Sequence, residues 1–221
     1  MRITALRRVL VSIGALAMFA LAAGQAVAVG PCPPGPTYHL IFDAGNLELT
    51  TTAPVAGPAA YRDSPALSKA GGNPWQEIGE WETYTGGGSI NTCVIGAFSP
   101  LHVWLGLRNS DDQGTNFDLR AEVRVQNALV GVSEQYCIKG LTRNPALAKE
   151  LVQTIPVQLP NVPLEGEVSL TLYARIGTGS SCPGHASATG LRVYYDSPDR
   201  DSRFDVDLFG GGCGAVFGAA C

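Results

Sequence analysis

Several catalytic signatures are missing from the chain. No Gly-x-Ser-x-Gly stretch occurs, which excludes a nucleophile elbow. There are only three histidines, His39, His102 and His185. His102 falls on the polar side of an alternating run, as a surface residue does. His185 lies near Ser180, Ser181 and Ser187, but no third member of a triad accompanies them. Cys182-Pro-Gly-His185 is the one Cys/His pair at ligand-like spacing, and a finger-type zinc site needs two such pairs. Positive charge is scarce: 15 Lys and Arg stand against 19 Asp and Glu, a net charge of −4. Such a chain is a poor partner for nucleic acid or an anionic membrane surface. No internal repeat of useful strength is seen. No apolar run reaches the ~20 residues that span a bilayer.

The longest apolar run is at the N-terminus, from Val9 to about Ala23, behind Arg2, Arg7 and Arg8. Ala26-Val27-Ala28 follows, a small-x-small cleavage pattern. Residues 1–28 are expected to be a signal peptide for general secretion. Arg7-Arg8 lacks the flanks of a twin-arginine signal, and no cysteine near the cut offers a lipid anchor. The mature chain is then secreted, extracellular or periplasmic, with no membrane insertion after cleavage. Removal of three arginines and no acid makes it more acidic still. Its length suits one domain, or one domain with a tail.

Six cysteines remain: Cys32, Cys93, Cys137, Cys182, Cys213 and Cys221. An even count in an exported chain indicates three disulfides. Among the many pairings that six cysteines allow, Cys137–Cys182, Cys32–Cys93 and Cys213–Cys221 are expected, the last closing a Gly/Ala-rich tail.

Residues 29–36 are rich in Pro and Gly, and residues 50–74 form a Pro/Ala/Gly stretch without strong periodicity. Between them Tyr38 to Leu49 can supply one or two short strands. Residues 29–74 are therefore expected to be an N-terminal segment and connector. Residues 75–208 are expected to be the folded domain, and 209–221 a loosely structured tail.

Within the domain the apolar period is two. Leu101, Val103, Leu105 and Leu107 alternate with His102, Trp104, Gly106 and Arg108. The runs Phe117–Val125, Val168–Ile176 and Leu191–Tyr195 alternate the same way, and Ile155, Val157 and Leu159 do so briefly. Such strands bury one face and wet the other. The expected fold is all-β, an antiparallel β-sandwich that is immunoglobulin-like or jelly-roll-like, with at most one short helix. Ala146 to Val152 has helical character over about two turns, with Asn144-Pro145 as its cap and first residue. Val125-Gln126-Asn127-Ala128-Leu129 reads as a tight hairpin turn, with Asn127 accepting positive φ.

Three clusters could carry chemistry. Asn109 to Asp118 begins like an EF-hand loop, but its twelfth position is Arg120, where a bidentate Glu is needed. Looser calcium sites on sandwich loops remain open, with Asp111, Asp112, Asn116 and Asp118 as ligands and calcium as the one cofactor considered. The alternative is ordinary turn chemistry. Asp196, Asp199, Asp201, Asp205 and Asp207 form a second cluster, where the interleaved Arg200 and Arg203 favour local ion pairing over a metal. Trp75, Trp81, Tyr84 and Trp104 could stack on sugar rings, or Trp75 and Trp81 could fill the core. Glu77, Glu80 and Glu82 beside them, with Asp118, supply the carboxylates a glycoside hydrolase would use.

The stretches "GLRNSDDQGTNFDLRAEV", "CIKGLTRNP", "LYARIG", "CPGHASATGLRVYYDS" and "SRFD" together resemble a set of poorly characterised secreted bacterial β-sandwich modules. The resemblance spans roughly residues 75–207. It implies an exported sandwich with no established reaction, and it supports pairing Cys137 with Cys182, which fall within its motifs. The expected function is a non-catalytic structural or binding role at the cell exterior, toward an unknown extracellular ligand or surface component. A carbohydrate-binding module is the alternative, and a glycoside hydrolase a more distant one.

Overall fold

Burial follows the alternation. The computed structural model describes residues 32–85, 93–159, 161–179, 182 and 185–210. The expected signal peptide, the Cys213–Cys221 pair and most of the expected tail lie outside the described residues. Thirteen strands run in order: β1 (Thr37–Asp43), β2 (Asn46–Thr50), β3 (Ala60–Asp63), β4 (Leu67–Ser68), β5 (Gln76–Thr85), β6 (Cys93–Leu107), β7 (Phe117–Val125), β8 (Ala128–Ile138), β9 (Lys149–Ile155), β10 (Gly166–Ile176), β11 (Ser187–Ala188), β12 (Leu191–Tyr195) and β13 (Arg203–Gly210). The helical pieces among the described residues are four short 3-10 turns. The fold is all-β and sandwich-like.

Ten strands follow one hydrogen-bonded path, β3-β12-β6-β13-β1-β2-β5-β10-β7-β8. β6 is long enough to carry β13 and then β12 along one edge, with β9 pairing alongside. Every pairing is antiparallel except a single parallel contact between Glu48 and Glu82, where β2 meets β5. An isolated bridge from Gly131 to Val157 brings the β8 edge near the end of β9, but no ladder among the described residues closes the sheet. β4 and β11 form a separate two-stranded piece.

The apolar members of the alternating runs all enter one core. Leu101, Val103, Leu105, Leu107, Leu119, Val123, Leu170 and Leu172 are fully buried, as are Trp81, Phe98 and Phe204. Each such side chain contributes roughly 1.5–3 kcal/mol of transfer free energy. The Gln126-Asn127 turn joins β7 to β8 with both residues at positive φ, as a two-residue hairpin with right-handed twist requires. Ala44-Gly45 does the same between β1 and β2.

Two expectations change. Lys149–Ile155 is strand β9, not helix; its ladder with β6 outweighs the helical propensity of Ala-Lys-Glu-Leu. Only the cap survives: Asn144 Oδ1 accepts from the Ala146 N–H at 3.0 Å at the start of a single 3-10 turn, Pro145–Leu147. Residues 37–50 are not a segment ahead of the sandwich. β1 and β2 lie inside its sheet between β13 and β5, and β3 extends it beside β12.

Cys32 is bonded to Cys93, and Cys137 to Cys182, as expected. Two disulfides fit an oxidising compartment. No helix among the described residues is long and apolar enough to cross a membrane.

Candidate functional site

The acidic stretch between β6 and β7 opens as a capped turn. Asn109 Oδ1 accepts from the Asp111 N–H at 3.3 Å, starting the 3-10 turn Ser110–Asp112. Its four candidate ligands then diverge. Asp112 is buried, and its carboxylate accepts from the Thr189 N–H at 2.9 Å, the Gly190 N–H at 3.2 Å and the Thr189 hydroxyl. Asp118 is fully buried on β7. It accepts from Arg175 Nε at 3.0 Å, the Thr178 hydroxyl at 2.9 Å and the Cys137 N–H at 2.9 Å. Asn116 is buried with its amide toward Cys137 Sγ at 3.8 Å, and its carbonyl accepts from the Gly177 N–H at 2.8 Å. Asp111 is exposed, and among the described residues its carboxylate accepts only from the Asn109 amide, at 3.2 Å. A calcium ion would have to displace these donors from Asp112 and Asp118. Among the described residues no three His, Cys, Asp or Glu side chains gather as a metal-holding group.

Asp118 anchors a charged outer face. Arg175 leaves it to lie 4.1 Å from the Trp75 ring centroid and 5.8 Å from that of Tyr136. Glu122 sits between Arg120 and Arg124, and Arg120 also reaches Glu134. The Tyr136 hydroxyl donates to Glu134, which raises the Tyr136 pKa above its usual value. This face, expected to be wet, is closed over by its own ion pairs, so that Glu122, Ser169 and Thr171 are buried.

The aromatic candidates do not form one platform. Trp81 is in the core, edge-on to Tyr195 with centroids 5.3 Å apart. Trp75 lies under Arg175, and Trp104 has Arg200 4.8 Å from its centroid. Tyr84 is open, at 77 % exposure. Near it a shallow cavity of about 350 Å³ is lined by Glu48, Glu82 and Glu167. Glu77 and Glu80 are exposed on β5, and Glu82 faces Glu48 across the parallel contact.

The histidines and the second acidic cluster hold strands together. His39 Nδ1 is 2.7 Å from Asp201 Oδ1, and Arg203 Nη1 donates to the same carboxylate at 3.1 Å. His102 Nδ1 is 2.7 Å from Glu150 on neighbouring β9. Asp205 accepts from the Thr37 hydroxyl across the β1–β13 pair. The expected local ion pairing holds for Arg203. Arg200 instead donates to the carbonyls of Pro145 and Ala146, at 3.1 and 3.2 Å. The Ser202 hydroxyl donates to the Tyr194 carbonyl at 2.7 Å and accepts from the Trp104 N–H at 3.0 Å, so it is held within the fold.

No family model and no curated protein sequence matches the chain. Some solved structures match it weakly. One is a CocE/NonD family hydrolase from Staphylococcus aureus, at 12% identity and a TM-score of 0.40, covering 80% of this chain and 37% of that one. Another is an aminopeptidase from the marine sediment archaeon Thaumarchaeota archaeon, at 9% identity and 0.49, covering 80% and 37%. A third is infectious bursal disease virus, Gt strain, at 10% identity and 0.32, covering 83% and 43%. The chain spans under half the length of each. At these scores no reaction, substrate or partner passes to it.

Sequence reasoning missed one feature at the loop end of the sandwich. An open cavity of about 520 Å³ is lined by Ala66, Arg108, Asn109, Arg143 and Thr189. A second, of about 470 Å³, shares Ala66 and Thr189 with it and continues past Asp111, His185 and Ser187. Together they make one trench beside the acidic loop. No local pattern could have shown it, because Arg108 and Arg143 come from segments far apart in sequence.

Proposed function

We propose that the chain is an exported, non-catalytic β-sandwich that acts by binding at the cell exterior. The supporting observation is what the candidate acid–base groups already do. Asp112 and Asp118 are each held by several donors from other elements of the fold. A group locked by several such contacts is not poised to move a proton for a substrate. Export is supported by the basic and apolar N-terminus and the two disulfides. Sugar binding by ring stacking would rest on Tyr84, since the other three rings are buried or faced by arginine.

The test is a retention assay of residues 29–221 on immobilised extracellular polysaccharides and surface proteins, run beside ester, peptide and glycoside substrates. The expected result is saturable retention without turnover. Turnover abolished by Glu80→Ala or Glu82→Ala would replace this reading with an enzyme.

A further inference from the structure

We propose that Arg108 and Arg143 form a cradle for the acid group of an acidic saccharide, whose remaining hydroxyls lie along the trench. The proposal rests on the binding role above and gives that role a ligand class.

The cradle is built by backbone. Arg108 follows the last residue of β6, and Arg143 lies between β8 and the Pro145 turn. The Leu107 N–H donates to the Thr142 carbonyl at 2.9 Å, and the Arg108 N–H to the Gly190 carbonyl at 3.1 Å. These bonds fix three distant segments around one concavity. Asp112 holds the third segment from behind through Thr189 and Gly190.

Carboxylate pairing distinguishes these two arginines from five of the others. Arg120, Arg124, Arg175, Arg192 and Arg203 each meet a carboxylate within 3.4 Å. Arg62 and Arg200 donate to backbone carbonyls. Arg108 donates to the Thr189 carbonyl at 3.4 Å and has Asp63 only at 3.9 Å, and that carboxylate is already held by Arg192 through two bonds, at 2.6 and 2.8 Å. Arg143 is exposed and has no ion-pair partner among the described residues. The described lining of this cavity includes no carboxylate. Two guanidinium groups facing one concavity repel each other, and an anion between them reverses the sign. A planar carboxylate or a sulfate fits their forked donors.

The neighbouring half of the trench favours a hydroxylated ligand. Ser68, Ser187 and Asp111 border it, and Asp111 has no cationic partner among the described residues. Hydroxyls and a carboxylate pair with sugar hydroxyls, whereas a second anion would be repelled there. The position of the negative group is thereby set at the arginine end.

The experiment is calorimetric titration of residues 29–221 with trigalacturonate, with its fully methyl-esterified form, and with inorganic sulfate at matched ionic strength. The acid should bind and the ester should bind at least tenfold more weakly. Arg143→Ala and Arg108→Ala should each weaken the acid at least tenfold, and Arg124→Ala should leave it unchanged. Displacement by sulfate would make the cradle a general oxyanion site, and its failure a carboxylate-selective one. No binding of the acid, equal binding of acid and ester, or an Arg143→Ala chain that binds like wild type would overturn the cradle. The exposed Arg143 side chain makes no hydrogen bond or ion pair among the described residues, so its variant tests binding without unfolding. A chain retained on extracellular polymers whatever stands at 108 and 143 would keep the binding role and lose only the cradle.

Discussion

The outer face of β7 and β10 and the trench at the loop end both carry arginines, but those arginines are used in opposite ways. On the outer face each guanidinium is matched: Arg175 to Asp118, Arg120 to Glu122 and Glu134, Arg124 to Glu122. In the trench Arg108 and Arg143 are left without a close carboxylate of their own among the described residues. A matched charge ties elements together and lowers the cost of burial, whereas an unmatched one at a concave surface is available to a ligand. The acidic loop from Asn109 to Asp118 connects the two regions. Asp118 belongs to the first, and Asp112 shapes the second.

The largest effect should come from removing Asp118. Asp118→Ala leaves Arg175 half-buried and the Cys137 N–H and Thr178 hydroxyl without their acceptor. Breaking a buried pair on one side costs about 3–5 kcal/mol, measured as the free energy of urea unfolding. Asp112→Ala should cost less, about 2–3 kcal/mol, because it strands two N–H donors and no charge. It should also weaken any ligand held in the trench, whose wall at Thr189 it supports.

The next effect separates charge from burial. Tyr38 and Tyr195 lie in the core, where burial pushes each hydroxyl up to about 12. Their folded pKa values stand above the unfolded value of about 10, so between pH 10 and 12 the folded state holds more protons. Stability should be intact below pH 10 and fall on rising through 12, by on the order of 2 kcal/mol for each ring. Tyr38→Phe and Tyr195→Phe should flatten that alkaline limb of the melting profile. The smallest effect should be that of calcium. Excess calcium after EDTA should move the melting temperature by less than about 1 °C, because the carboxylates of Asp112 and Asp118 are already occupied by protein donors.

Strands whose faces differ in polarity were legible. The runs at Leu101–Leu107, Phe117–Val125, Val168–Ile176 and Leu191–Tyr195 bury the residues the alternation selects. The Gln126-Asn127 turn was legible because positive φ there suits Asn. β9 was not, since its local composition favours helix and only the distant partner β6 overrides it. Phe204, Val206 and Leu208 alternate within β13, a signal hidden by the aspartates between and before them. The roles of Asp112 and Asp118 were open in the sequence, because their partners are 19 to 78 residues away. The arginine pair had no signal at all, because only the backbone bonds among residues 107–108, 142 and 190 bring it together.

The central claim is that one set of charges holds the fold and the other is free to bind. It is tested most directly by thermal unfolding of the wild-type, Asp118→Ala and Arg143→Ala chains side by side, in oxidised form. At ~2–4 °C per kcal/mol, Asp118→Ala should melt roughly 6–20 °C below wild type. Arg143→Ala should stay within about 2 °C of it. Equal losses in the two variants, or a wild-type melting temperature for Asp118→Ala, would contradict the claim.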